Sequence, residues 1–290
     1  MNVLVTGTAT PFAELLLPRL LAHPGIDLVV GIDREQSEFV HENFVQVLID
    51  PRSAQIARVL RGLDAVIHLA AELAEADPVA SVVGTQNLCA LAHAAGTRHL
   101  IHLSSALVYD NRSAPRTSAI NERHARGTPT GCAPIEALRS IEDWLDGFET
   151  QHPEIRLVRL RPHWMLGRHS DSLLAKLLHG RMQLKLPEPP PPIQCVHEED
   201  VVQAILQALD SEASGAFNLA AKEVTSIPAL HRQTRWLRLP GRPGLIAHRL
   251  DRPAPCLELL RYPLVLDTRR ARAELGWKPQ RDTASAAARR

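Results

Sequence analysis

The first thirteen residues constrain the fold more than any other stretch of the chain. Val3-Leu-Val-Thr-Gly7 followed by Thr8-Ala-Thr-Pro-Phe-Ala13 reads as a short apolar strand, a tight turn and the start of a helix. In such a unit the backbone N–H groups of the turn and the helix N-terminus converge on one point, where they stabilise a phosphate. Gly7 holds the first position of the glycine fingerprint that lets a dinucleotide approach the turn, Thr10 the second and Ala13 the third. Alanine suffices at the third position, where only the closeness of helix and strand is at stake. Thr10 puts a side chain where backbone would meet phosphate, which narrows or reshapes the site; Pro11 and Phe12 complete the turn and are expected among the cofactor-binding residues. The next apolar run ends at Asp33, 26 residues after Gly7. A carboxylate there accepts hydrogen bonds from the two ribose hydroxyls of NAD and repels a 2′-phosphate, or it is simply a loop acid at a strand end. Arg34 follows and is able to pair with a 2′-phosphate, so NAD is expected and NADP stays open.

Further along, β-branched runs alternate with helical patterns, the arrangement of a doubly wound parallel sheet with crossover helices. Strands are expected at Asn2–Thr6, Leu28–Ile32, Val45–Ile49, Ala65–Leu69, His99–Leu103 and Ile155–Leu160, and helices near 12–23, 53–61, 79–95, 134–149 and 198–209. The strands are apolar almost throughout, as strands covered on both faces are. Beyond residue 162 the alternation weakens, Leu186–Pro192 (LPEPPPP) suits only an extended connection, and 240–263 has little periodicity. The expected architecture is therefore α/β: a Rossmann-type domain over 1–161 and a smaller C-terminal substrate lobe over 162–290 that returns segments to the sheet.

Apolar residues are 45% and charged residues 22% of the chain, enough for a large core. A net charge of +1 gives no reason to expect nucleic acid or an anionic membrane as partner. No apolar run reaches the ~18 residues a bilayer span needs, and MNVLVTG reads as a first strand rather than a signal peptide. Cys89, Cys132, Cys195 and Cys256 form no CxxC pair, so reduced thiols in a cytoplasmic protein are expected. The histidines show no HExxH or close pairing that reads as zinc, and no metal is expected.

Eight further landmarks occur in order. They are Asp50-Pro51, Val66–Ala71 (VIHLAA), Gly84–Leu88 (GTQNL), His102–Tyr109 (HLSSALVY), Leu160–Pro162 (LRP), Val196–Asp200 (VHEED), Phe217–Leu219 (FNL), and Asp267-Thr268 with Glu274–Trp277 (ELGW). On these the chain resembles the extended short-chain dehydrogenase/reductases of the NAD-dependent epimerase/dehydratase group, most of which handle nucleotide sugars. Two positions depart from the pattern: Ser81 stands where the family usually has Asn, and Asp110 where SSxxVYG ends in Gly. The resemblance implies cofactor contacts at Asp50, Pro51, Leu69, Ala70, Ala71, Ser104 and Pro162, a nucleotide-sugar-like ligand, and a homodimer through the helices near 79–95 and 134–149.

The resemblance also implies a Tyr-x-x-x-Lys pair on the helix after SSxxVYG, where the phenol moves a proton and the ammonium lowers its pKa and grips the ribose. This chain has none there: its only tyrosines are Tyr109 and Tyr262, and its first lysine is Lys176. Pro134 and Leu138 occupy the two positions, within an apolar stripe of Ile135, Leu138, Ile141, Leu145 and Phe148 that reads as ordinary helix packing. Ser105 aligns with the family's catalytic serine, yet suits a hydroxyl that satisfies backbone at a strand end equally well. Tyr109 is a recruited phenol or a structural one. His163, expected at the carboxyl edge of the sheet, is a proton carrier or a packed imidazole. His197 and Asp200 are expected to start and cap the helix that follows them. Three functions fit these residues: an oxidoreductase-type enzyme with an improvised base, a cofactor-dependent binding or regulatory protein, and a scaffold without cofactor.

Overall fold

A computed structural model describes residues 1–69, 78–114, 118–127, 130–170, 172–179, 188–234 and 255–282. The elements run β1 (Asn2–Thr6), α1 (Pro11–Leu21), β2 (Leu28–Asp33), β3 (Phe44–Leu48), α2 (Ile56–Val59), β4 (Ala65–Leu69), α3 (Pro78–Ala94), β5 (His99–Leu103), α4 (Ala133–Gln151) and β6 (Arg156–Pro162). There follow β7 (Met165–Leu166), α5 (Leu173–His179), β8 (Val196–His197), α6 (Glu198–Asp210), β9 (Gly215–Leu219), α7 (Ile227–Thr234), α8 (Pro255–Glu258) and α9 (Arg269–Glu274).

Seven strands form one parallel sheet in the order β3-β2-β1-β4-β5-β6-β9. The order reverses at β1, with β2 on one side and β4 on the other, which opens a crevice at the carboxyl ends of those strands. All six expected strands are present, each within a residue or two of its expected ends. The seventh, β9, carries the Phe217–Leu219 landmark and is the segment that returns to the sheet from the C-terminal part of the chain. The helix expected over 53–61 is only the four-residue α2.

Both faces of the sheet are apolar because both are covered. Leu15, Leu16 and Leu20 of α1 pack with Val201, Ile205 and Leu209 of α6 on one face. On the other, Leu88 of α3 packs with Ile141, Leu145 and Phe148 of α4. The N-terminal turn of α4 joins a third core, in which Ile135 and Leu138 meet Leu166, Leu174, Ile193 and Leu260. One helix therefore ties the sheet to the C-terminal elements, and its apolar stripe is what the periodicity implied.

Two expectations need correction. Cys132, at the N-cap of α4, and Cys256 of α8 form a disulfide across 124 residues, while Cys89 and Cys195 are buried free thiols. Spacing alone could not pair thiols that only tertiary structure brings together. His197 does cap α6, its Nδ1 accepting from Glu199 N–H at 3.0 Å, but the Asp200 carboxylate turns away to accept from Gln280 and Arg281 N–H. With Trp277 Nε1–H donating to Asp200 O at 2.8 Å, that contact docks the ELGW segment on α6.

Candidate functional site

A cavity of about 310 Å³ occupies the crevice. Its floor is the turn after β1. Gly7 has φ +73°, a conformation side chains rarely adopt, and a Cβ there would lie 3.3 Å from Leu69 O and 3.4 Å from Leu69 Cβ, a tight approach to β4. Thr10 is the N-cap of α1: its Oγ1 donates to Gly7 O at 2.7 Å and accepts from Ala13 N–H at 3.4 Å. Its hydroxyl is thus turned back into the loop. Pro11 is at the first position of the helix. It has no N–H, so this helix N-terminus offers one donor fewer to a phosphate than an ordinary one.

Asp33 borders the cavity at the end of β2. Its Oδ2 accepts from Ala9 N–H at 2.9 Å, bracing the turn, and its Oδ1 accepts from Arg34 N–H at 2.6 Å and Glu35 N–H at 3.2 Å. Arg34 lies beside it, and Asp50, Pro51 and Arg52 close the same end. Arg52 grips the Asp50 carboxylate with Nε and Nη2, and this pairing holds the carboxyl down at about 2. The GTQN segment of α3 keeps this loop in place. Gly84 lets the helix approach Pro51, whose Cβ would stand 3.3 Å from an added methyl, and Asn87 Nδ2 donates to Pro51 O at 3.0 Å.

The other end is different. His68 on β4 is held from both sides: its Nδ1 is 2.7 Å from Thr6 Oγ1 and its Nε2 2.9 Å from Thr85 Oγ1. Thr85 spends its proton on Ser81 O, so it must accept from His68 Nε2–H, and Nδ1 must accept from Thr6. Burial first, and then the adjacent His102, push the His68 imidazole down to about 3. The remaining wall is α4, with Pro134, Ala137, Leu138 and Ile141 facing the space. The positions where the resemblance calls for Tyr and Lys do border the cavity, and both present only carbon.

The crevice therefore gathers Gly7, Thr10, Asp33, Arg34, Asp50, Pro51 and Leu69 from the expected site residues. Ala70 and Ala71 lie outside the described residues. Pro11, Phe12, Ser104 and Pro162 are not among the residues bordering it. Phe12 is core, and the Ser104 hydroxyl donates to Glu142 Oε1 at 2.7 Å. Burial would raise the Glu142 carboxyl, but hydrogen bonds and charge from Arg161, with the Arg159 charge and Ser104, prevail and hold it at about 2.

Of the three expected catalytic groups, none borders the cavity. Tyr109 is fully buried; its hydroxyl donates to Asn218 Oδ1 at 2.7 Å and accepts from Arg161 Nη1 at 2.8 Å, and burial carries its pKa up to about 12 despite the neighbouring guanidinium. His163 is fully buried, neither ring nitrogen has a partner among the described residues, and burial pushes it down to about 3. Ser105 caps the 3-10 turn at Ala106–Val108, accepting from Leu107 N–H at 3.2 Å. His68, Thr6 and Thr85 were not singled out from sequence. Parallel pairing of β1 with β4 sets Thr6 beside His68, a register that only the folded sheet fixes.

A doubly wound parallel sheet whose glycine turn, acidic strand end and crevice meet at the switch point defines a Rossmann-type α/β protein. The chain belongs to the NAD dependent epimerase/dehydratase family, which matches residues 3–220. It is 30% identical to a UDP-glucose 4-epimerase of Mycolicibacterium smegmatis over 97% of this chain and 94% of that one. An uncharacterized protein of Mycobacterium tuberculosis is 26% identical over 98% of this chain and 81% of its own length. Among solved structures, UDP-glucose 4-epimerase of Thermotoga maritima with UDP-glucose superposes with a TM-score of 0.77 at 19% identity, over 99% of this chain and 96% of that one. The dTDP-glucose 4,6-dehydratase DesIV of Streptomyces venezuelae, with NAD bound, gives 0.77 at 21% identity, over 99% and 94%. No helix among the described residues is long and apolar enough to cross a membrane.

Proposed function

We propose that the chain binds NAD(H) in the crevice, takes a nucleotide-sugar-like ligand beside it, and lacks the acid–base pair by which its family is expected to exchange protons. The observation that carries this reading is the contrast along one cavity: Gly7 and Asp33 at one end, Pro134 and Leu138 at the other. The residues present fit the adenosine half of a dinucleotide. Gly7 leaves room for close backbone approach, Asp33 faces the ribose position, and its charge favours NAD over NADP. The cofactor supplies hydride chemistry when bound; the chain supplies the turn, the carboxylate and an apolar wall that excludes water.

A second reading, a binding or regulatory protein that holds the dinucleotide without turnover, is favoured by one feature. His68, the titratable side chain bordering the apolar end among the described residues, has both nitrogens engaged and is neutral at physiological pH. A homodimer through α3 and α4 belongs to the same proposal. The dimer is supported by Val79 and Val83, exposed one turn apart on α3.

Titration with NADH and NADPH, followed by fluorescence, tests the binding half. Saturable NADH binding at micromolar concentration with weaker NADPH binding is expected; no binding of either removes both readings. A hydride-exchange assay with UDP- and dTDP-hexoses then separates them. Turnover that Ser105→Ala reduces would restore an improvised enzyme, and absence of turnover leaves the binding protein.

A further inference from the structure

The histidines show no metal spacing in sequence, but the fold gathers three donors at the edge of the sheet opposite the crevice. His93 is in the last turn of α3, His152 caps the C-terminus of α4, and Glu154 lies in the turn that leads to β6. His93 Nε2 is 3.0 Å and His152 Nδ1 3.7 Å from the same oxygen, Glu154 Oε1. The two imidazoles lie 4.0 Å apart, centroid to centroid, and one ligand atom from each of the three residues falls within 4.8 Å of the others. We propose that His93, His152 and Glu154 form a surface site for a borderline divalent cation of the zinc type.

The geometry fits such an ion. Bonds of about 2.0–2.1 Å in a tetrahedron put neighbouring ligand atoms about 3.3 Å apart; the two edges at Glu154 Oε1 are 3.0 and 3.7 Å and all three ligand atoms lie within 4.8 Å of one another, so a modest closure of the two imidazoles completes the triangle. Two imidazole nitrogens and one carboxylate suit zinc, cobalt, nickel or copper, whereas magnesium and calcium prefer oxygen throughout. Water completes the fourth position, since the three side chains are only partly exposed, at 38%, 26% and 38%. One proton shared by His93 and Glu154 accounts for the first contact. At 3.7 Å the second imidazole is beyond hydrogen-bond reach of that oxygen, and a bound ion would draw the three donors together.

The frame is preorganised. Backbone hydrogen bonds close both turns, Gly96 N–H to His93 O at 2.9 Å and Ile155 N–H to His152 O at 3.0 Å. The buried Phe148 ring packs against both imidazoles, 6.4 Å from His93 and 4.6 Å from His152. Two helix C-termini meet here, and their carbonyl ends favour a cation. A strand the length of β5 spans roughly 16 Å, so an ion at this edge does not touch the crevice. It clips together the far ends of α3 and α4, whose near ends form the crevice wall at Thr85 and Leu138.

The test uses tag-free protein stripped with a chelator. Titration with Zn²⁺ against a chromophoric chelator is expected to give one site of micromolar affinity or tighter. Co²⁺ should give the intense visible bands of a four-coordinate complex, and Zn²⁺, but not Mg²⁺, should raise Tm. His93→Ala with His152→Ala, and separately Glu154→Gln, should weaken Zn²⁺ binding by about tenfold or more, since loss of outer-shell partners alone reaches that size. His23→Ala, on another surface, should change nothing. A single Zn²⁺ site that persists unchanged in the double variant, or no Co²⁺ bands in the parent protein, overturns the assignment.

Discussion

The two ends of the crevice obey different physics. At the β2 and β3 end charged side chains dominate the lining, with Ala9 and Pro51 between them: Asp33 braced by Ala9 N–H, Arg34, and the Asp50–Arg52 pair. At the α4 end the lining is Pro134, Ala137, Leu138 and Ile141, and some of those carbons also belong to the core. A charged group at position 138, only 7% exposed, would lose hydration unless its end reached into the cavity that the residue borders. The α4 wall therefore contributes packing, while the opposite end carries the charged side chains.

The sharpest way to break this comparison is to put chemistry back. Pro134→Tyr with Leu138→Lys sets a phenol and an ammonium four residues apart on the face that already borders the cavity. General acid–base catalysis contributes typically about 10²–10⁴-fold, so NAD-linked exchange on UDP-glucose should rise at least about a hundredfold over the parent chain. Parent turnover as fast as the double variant's would mean that the α4 end is not chemically silent. At the other end, Asp33→Ala should weaken NADH binding by about tenfold, the equivalent of roughly 1.4 kcal/mol, and narrow the NADH/NADPH ratio. Leu138→Ala should change NADH affinity less than Asp33→Ala, as measured by fluorescence titration. Equal effects at the two ends would dissolve the distinction.

A smaller effect tests the turn itself. Pro11→Ala restores an N–H at the first position of α1, where an anion would dock. Roughly 1 kcal/mol from one more donor predicts about fivefold tighter NADH binding, read from the same titration. Unchanged affinity would mean that the pyrophosphate lies away from α1. Thr10 is a different matter, since its hydroxyl caps the helix. Thr10→Gly should lower Tm without matching the gain of Pro11→Ala.

The sheet was legible in the sequence because its strands are apolar on both faces and its turns carry Gly7 and Asp33, signals that are local. Only part of the crevice was legible: Gly7, Asp33 and Asp50-Pro51 line it because they sit at or just beyond the ends of readable strands, whereas Pro11, Phe12, Ser104 and Pro162 do not border it. What could not be read depends on contacts between distant segments. Nothing in the SSALVY segment says that Tyr109 turns inward to Asn218 and Arg161, which are 109 and 52 residues away. The Cys132–Cys256 bond and the Thr6–His68–Thr85 chain are hidden for the same reason. His163 was placed correctly at the end of a strand, but whether its ring points to the crevice or the core is decided by the chain that packs over it.

That last point can be measured through pH. His68, His99 and His163 are pushed down to about 3 and His102 to about 4, in each case first by burial. The unfolded chain takes up these protons near pH 6.5, the folded chain only near 3–4, so the unfolded state binds more protons between the two values. Stability is therefore complete above about pH 6.5 and falls as the pH drops, by up to about 1.4 kcal/mol per pH unit for each ring. Between pH 6.5 and 5 the Glu142 carboxyl, held at about 2, adds only weakly to this slope, because the unfolded carboxyl takes up its proton mostly below pH 5. His163→Leu removes one of the four rings together with two unpartnered buried nitrogens. Relative to the parent, the variant should gain up to about 2 kcal/mol between pH 7 and pH 5, measured from urea midpoints at both values. An acid slope identical in parent and variant would mean that His163 protonates in the folded protein, reaches water, and belongs to the crevice after all.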